Sequence, residues 1–103
     1  MKYSDIVESQ SARLGDFVTV KVNDPNADLW IVRRNSIDLV GEPKREYEKE
    51  RIGITINTDA LDRGYLYYAM LHMFKQGYWK GVATGSTNLT SIRTADVLNV
   101  PIG

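Results

Sequence analysis

Three short apolar runs, none longer than six residues, constrain the chain more than any other feature. Phe17-Val18-Thr19-Val20-Lys21-Val22 alternates and is rich in β-branched side chains, the pattern of a half-buried strand. Leu29-Trp30-Ile31-Val32 is continuous and reads as a buried strand, and Ile52-Gly53-Ile54-Thr55-Ile56 alternates again. Between the first two runs, Asn23-Asp24-Pro25-Asn26-Ala27-Asp28 is turn chemistry: Asn and Asp bond their own backbone and Pro presets φ. Arg33-Arg34-Asn35-Ser36 interrupts the second run, and Ile37 to Gly41 is a short further element. Glu42 to Arg51, the most charged stretch, reads as a solvated loop or exposed short helix.

Only one segment carries a helical period. Leu66, Ala69, Met70 and Met73 share a face, Thr58 or Asp62 supplies the N-cap, and Gly77 the left-handed stop, which predicts a helix over about 59–76. After it the sequence predicts a strand over Tyr78 to Thr84, a loop at Gly85-Ser86-Thr87-Asn88, a last helical turn capped by Thr94, and an extended Val100-Pro101-Ile102. The expected fold is α+β: a mostly antiparallel twisted sheet with one principal helix packed on it. Residues 1–12 are polar and mixed and read as a loosely ordered lead-in; 13–103 form a single domain.

Composition removes several function classes. With no cysteine, disulfide scaffolds, thiolate metal sites and cysteine nucleophiles are excluded; a single histidine, His72, excludes sites that need two or three from one chain. Thirteen Lys and Arg against thirteen Asp and Glu give zero net charge, so binding to nucleic acid by bulk charge is disfavoured and a local basic face is required. The longest nearly uncharged apolar stretch, Gly64 to Phe74, is about half a membrane span, and the N-terminal residues lack an apolar signal core, so the expectation is a cytoplasmic protein without a membrane segment.

No catalytic set is legible. His72 has Tyr68, Ala69, Lys75 and Gln76 at helical neighbour positions, with no carboxylate to orient it as a base. Asp28 followed by Glu42-Pro43-Lys44 outlines two carboxylates and a lysine, the donor set of a divalent-ion nuclease, but Pro43 removes a ladder donor where that arrangement needs a strand. Neither a metal nor another cofactor is expected. The tyrosine-rich segment Tyr65, Tyr67, Tyr68, Phe74, Tyr78, Trp79 is mostly core by spacing, with tyrosines suited to an interface.

The second half resembles a known family. Tyr65-Leu66-Tyr67-Tyr68 on the helix, then Gly85-Ser86-Thr87, Ile92, Asp96-Val97-Leu98 and Val100-Pro101-Ile102, is similar to the target-recognition domain of type I restriction–modification specificity subunits. Leu14-Gly15-Asp16 and the Ile52-Gly53-Ile54 strand resemble that family's opening and central elements. The resemblance covers about residues 13–102 and reads as a single, shortened copy. It implies a non-catalytic domain that binds duplex DNA through loops. In such a module Arg33, Arg34 and Asn35 would contact bases or phosphates, Lys44, Arg45 and Lys80 would serve phosphates, and Ser86, Thr87 and Asn88 would form a clamp of hydroxyls and backbone amides. The alternative is a protein-interaction or self-associating domain on the same scaffold, contacting a partner or a second copy through Tyr65, Tyr68, Met73 and Trp79.

Overall fold

In the computed structural model, residues 12–86 and 88–102 are described. The chain runs β1 (Ala12–Arg13), a 3-10 turn (Leu14–Asp16), β2 (Val18–Val22), β3 (Leu29–Ile31), β4 (Arg34–Asn35), β5 (Pro43–Lys44), β6 (Ile52–Ile56), α1 (Arg63–Lys75), a second 3-10 turn (Tyr78–Gly81), β7 (Thr84–Ser86), β8 (Leu89–Ser91), α2 (Thr94–Leu98) and β9 (Pro101–Ile102). The fold is α+β, with antiparallel pairing throughout these strands and one main helix. The strands form three sheets where the sequence suggests one: β2-β6-β3-β5, β4-β8-β7 and β1-β9.

The alternating runs build the largest sheet. Ile54 is opposite Val20 on one side and Leu29 on the other, so β6 is the central strand. Ile52, Ile54, Leu29 and Ile31 are buried, as continuous apolar runs in the middle of a sheet require. The charged stretch is not wholly loop: Pro43 and Lys44 form β5, paired with Ile31 and Trp30. β5 is an edge strand, the place in a sheet where a proline's missing N–H leaves no ladder bond unmade.

α1 starts at Arg63, four residues later than the pattern suggested. The Thr58 hydroxyl accepts from the Ala60 N–H at 3.1 Å and makes a local turn, while the Asp62 carboxylate accepts from the Tyr65 N–H at 2.8 Å and is the N-cap. Gly77 ends the helix with φ of 82°. Leu66 and Met70 are buried, and Met73 and Phe74 pack against the core.

The strand expected over Tyr78 to Thr84 is a 3-10 turn that drives Trp79 into the core, where it is 1% exposed. Its ring lies against Gly41, whose φ is 88°; a Cβ there would sit 2.0 Å from Trp79 Cδ1. The last helix is α2, with Arg93 and not Thr94 as its N-cap residue. The lead-in falls on residues 1–11, outside the described residues, except that Ala12 is already in β1, opposite Ile102. One hydrophobic cluster joins Leu14, Val18, Leu66, Trp79, Ile92, Val97 and Val100 to the main sheet. No helix among the described residues is long and apolar enough to cross a membrane.

Candidate nucleic-acid interface

The three-stranded sheet β4-β8-β7 brings together two segments that lie about fifty residues apart in sequence. Arg34 is opposite Ser91, which is opposite Thr84; Asn35 is opposite Thr90, which is opposite Gly85; Ser86 is opposite Leu89. Arg33–Ser36 therefore does more than interrupt a strand, and Gly85-Ser86 belongs to a hairpin arm and not to a loop. Thr87, also expected in that loop, lies outside the described residues; Asn88 is exposed at the turn. Gly85 is needed in its arm. Its φ is 122°, and a Cβ would stand 2.5 Å from the Leu89 carbonyl oxygen.

Side chains alternate across a strand, so this register sorts the sheet into two faces. On one face Thr90 is 3% exposed and its hydroxyl donates to the Asn35 carbonyl oxygen at 3.0 Å. On the other, Arg34, Thr84, Ser86 and Leu89 are exposed, Leu89 at 48%. This outer face is polar apart from Leu89. Sequence reasoning missed Thr84 and Leu89; the alternation about Thr90 was the signal, and it is too short to stand out without β4 beside it.

The remaining DNA-contact candidates are placed differently. The Arg33 guanidinium pairs with the Glu50 carboxylate and its Nε donates to the Glu50 carbonyl oxygen at 3.1 Å. Glu50 has φ of 71°, and its N–H donates to Asn23 Oδ1 at 2.7 Å. Arg33 thus holds a left-handed residue in a turn and is not free for a phosphate. Asn35 Oδ1 accepts from the Ser36 N–H at 2.7 Å, and the residue is exposed on the Thr90 side of the register, apart from Arg34. Lys44 pairs with Glu42 at 2.8 Å, and Lys80 with Asp38 at 3.3 Å. Glu50, Glu42 and Asp38 thereby pair with three of the cations expected to contact DNA, Arg33, Lys44 and Lys80. Ser86 Oγ accepts from the Leu89 N–H at 3.3 Å, closing the turn. Among the described residues Arg34 has no ion-pair partner.

β8 runs on to Arg93, whose guanidinium and N–H both bond Asp96, the N–H at 2.7 Å. Burial alone would raise the Asp96 carboxyl pKa, but the Arg93 hydrogen bonds and charge hold it below the ordinary value, and the same contact raises Arg93.

Within the charged stretch, Arg45 lies 4.1 Å over the Tyr67 ring and 5.4 Å from that of Tyr68. Tyr68 and then Tyr67 keep its guanidinium above its ordinary pKa. Of the residues expected to meet a protein partner, Tyr65 and Tyr68 are 56% and 60% exposed. Met73 is half-buried, and Trp79 is withdrawn from any contact surface because its indole fills the core beside Gly41. A cleft of about 630 Å³ opens between Asp28, Arg45, Asp62 and Tyr67, but both its carboxylates are committed to backbone N–H groups, of Ile56 and Tyr65. His72 is exposed. No group of three or more His, Asp or Glu among the described residues is placed to hold a metal ion. Compared with protein-family models, curated proteins and solved structures, the chain matches none of them.

Proposed function

We propose that the chain is a non-catalytic duplex-DNA-recognition module, like a lone target-recognition domain of a type I restriction–modification specificity subunit, and that it meets DNA with the outer face of β4-β8-β7. The observation that carries this reading is the convergence of Arg34, Thr84, Ser86 and Leu89 on one exposed ribbon. The β7-β8 hairpin is a two-stranded ribbon of the kind the major groove admits, with β4 and Arg34 beside it; there an arginine fork reads guanine, hydroxyls read either kind of base and an apolar tip meets the thymine methyl. With Arg33, Lys44 and Lys80 neutralised by Glu50, Glu42 and Asp38, few phosphates are engaged. The ionic component of binding is therefore small.

Fluorescence anisotropy with random-sequence duplex DNA at two salt concentrations tests this. Expected is binding that weakens with salt at a shallow slope, of about one to three ions released, with Arg34→Ala lowering the slope by about one. An absence of binding at low salt and about 100 μM protein overturns the reading, because typical non-specific affinity would be visible there. The second reading, a protein-interaction domain, is favoured by the exposure of Tyr65 and Tyr68 on α1.

A further inference from the structure

The main sheet ends in two edges of unequal kind. On one side β5 is two residues long and contains Pro43, and both features blunt an edge against further pairing. On the other side β2 runs over five residues, Val18–Val22, in unbroken register with β6 and without proline. We infer that this open edge is a dimerisation site, where β2 of a second copy adds antiparallel to β2 and continues the sheet.

The hydrogen bonds show which backbone groups the edge offers. At the two ends of the β2–β6 pairing, the Asn57 N–H donates to the Phe17 carbonyl oxygen at 2.8 Å and the Asn23 N–H to that of Arg51 at 3.2 Å. Bonded and non-bonded pairs alternate along an antiparallel ladder, so Thr19 and Lys21 turn their N–H and C=O towards β6. The far side of β6 agrees. The Ile54 carbonyl oxygen accepts from the Asp28 N–H, and the Ile56 N–H donates to the Asp28 carboxylate. Val18, Val20 and Val22 therefore direct their N–H and C=O away from β6, and no other element among the described residues supplies them a backbone partner.

This set is self-complementary. A two-fold axis at Val20 puts Val20 opposite its own copy and Val18 opposite Val22 of the second chain, each as a bonded pair. The pairs between them set Thr19 opposite Lys21, so the strand's one charge never meets its own copy. Val20 and Val22 are half-buried in the single chain and gain cover from their counterparts. An unrelated extended peptide would use the same backbone groups; the Thr19–Lys21 complement is what favours a second copy. An edge this short buries less than the roughly 800 Å² per partner of a standard interface, which puts the dimer in the range of about 10–100 μM. The inference concerns the core sheet and not the ribbon, so it rests on neither reading of function above.

The test is sedimentation equilibrium of the full chain from about 1 to 500 μM, with two substitutions at exposed Thr19. Both lose the same hydrogen bond from Asn57, and only the sign of the new charge differs. The native chain is expected to dimerise reversibly. Thr19→Lys sets two lysines opposite each other at both Thr19–Lys21 pairs and weakens the dimer about fivefold; Thr19→Glu makes opposite-charge pairs there and tightens it about threefold. The native chain also gives a readout that needs no variant: hydrogen exchange at the Val20 and Val22 amides slows as concentration rises through the dimer range, while that of Thr19 and Lys21, bonded to β6, changes less. A chain that stays monomeric to about 500 μM overturns the inference. So does a dimer that both substitutions shift in the same direction, or that leaves the Val20 and Val22 amides unprotected, because its interface then lies elsewhere.

Discussion

The two larger sheets of this molecule are built on opposite principles. In β2-β6-β3-β5 the central strand has both neighbours, and the side chains of Ile52, Ile54, Leu29 and Ile31 are buried. In β4-β8-β7 the strands are two or three residues long, and Thr90 and Ser91 are its least exposed members, Thr90 held by one hydrogen bond to the Asn35 carbonyl. The first sheet is stabilised by area removed from water. The second contributes little of that and instead presents polar groups on a ribbon anchored to the core through Ile92, whose N–H donates to the Arg33 carbonyl at 3.0 Å. If the proposed function holds, stability and recognition reside in different sheets, and substitutions should separate them.

The largest effect belongs to the first sheet. Ile54→Ala leaves a cavity facing both Val20 and Leu29 and is expected to cost about 2–5 kcal/mol, read as a lower urea midpoint. A loss under about 1 kcal/mol would mean that the two sheets are not held as differently as their burial implies. The adjacent arginines give a sharper contrast. Arg33→Ala frees Glu50 from the contacts that hold its positive φ and is expected to cost about 1–2 kcal/mol. Arg34→Ala is expected to change stability by no more than about 0.5 kcal/mol and to act on DNA binding alone.

Acid probes the joint between the ribbon and the core. The Asp96 pKa is lowered in the folded chain relative to an unfolded value of about 3.9, so its contribution is fully present above that value and is lost as pH falls through the folded pKa. Asp96→Asn is therefore expected to lower the melting temperature near neutral pH, by an amount equivalent to about 1 kcal/mol, and to narrow its gap to the native chain below about pH 4. A gap that stays constant down to about pH 2 would remove the ionised carboxylate from the α2 cap.

How much of this was legible differs between the same two regions. The core strands announce themselves because a buried run of β-branched residues has few other solutions, and Asp62 and Gly77 mark the ends of α1 by side-chain and backbone chemistry that is local. The polar sheet was not legible as a sheet. Its strands carry Arg34-Asn35 and Thr84-Gly85-Ser86, residues of turns and loops, and pair across about fifty residues, so nothing local specifies them. Burial of Trp79 was hidden for a related reason: its pocket is completed by Gly41, distant in sequence and required for its missing Cβ. Arg33, Lys44 and Lys80 were legible as cations but not as partners of Glu50, Glu42 and Asp38, since only the fold decides which charges meet.

The smallest stability effect tests the functional half of the comparison most directly. Leu89 is 48% exposed, opposite Ser86 at the end of the ribbon, and contributes no cavity when shortened. Leu89→Ser is expected to leave the urea midpoint within about 0.5 kcal/mol of the native chain. If the ribbon enters a groove, the same change removes an apolar contact and weakens duplex binding about fivefold, equivalent to about 1 kcal/mol, with the salt slope unchanged because no charge is lost. The outcome divides cleanly. A loss of affinity at constant slope places Leu89 against bases, whereas a loss of stability without one of affinity would make it a hidden member of the core and return the ribbon to a structural role.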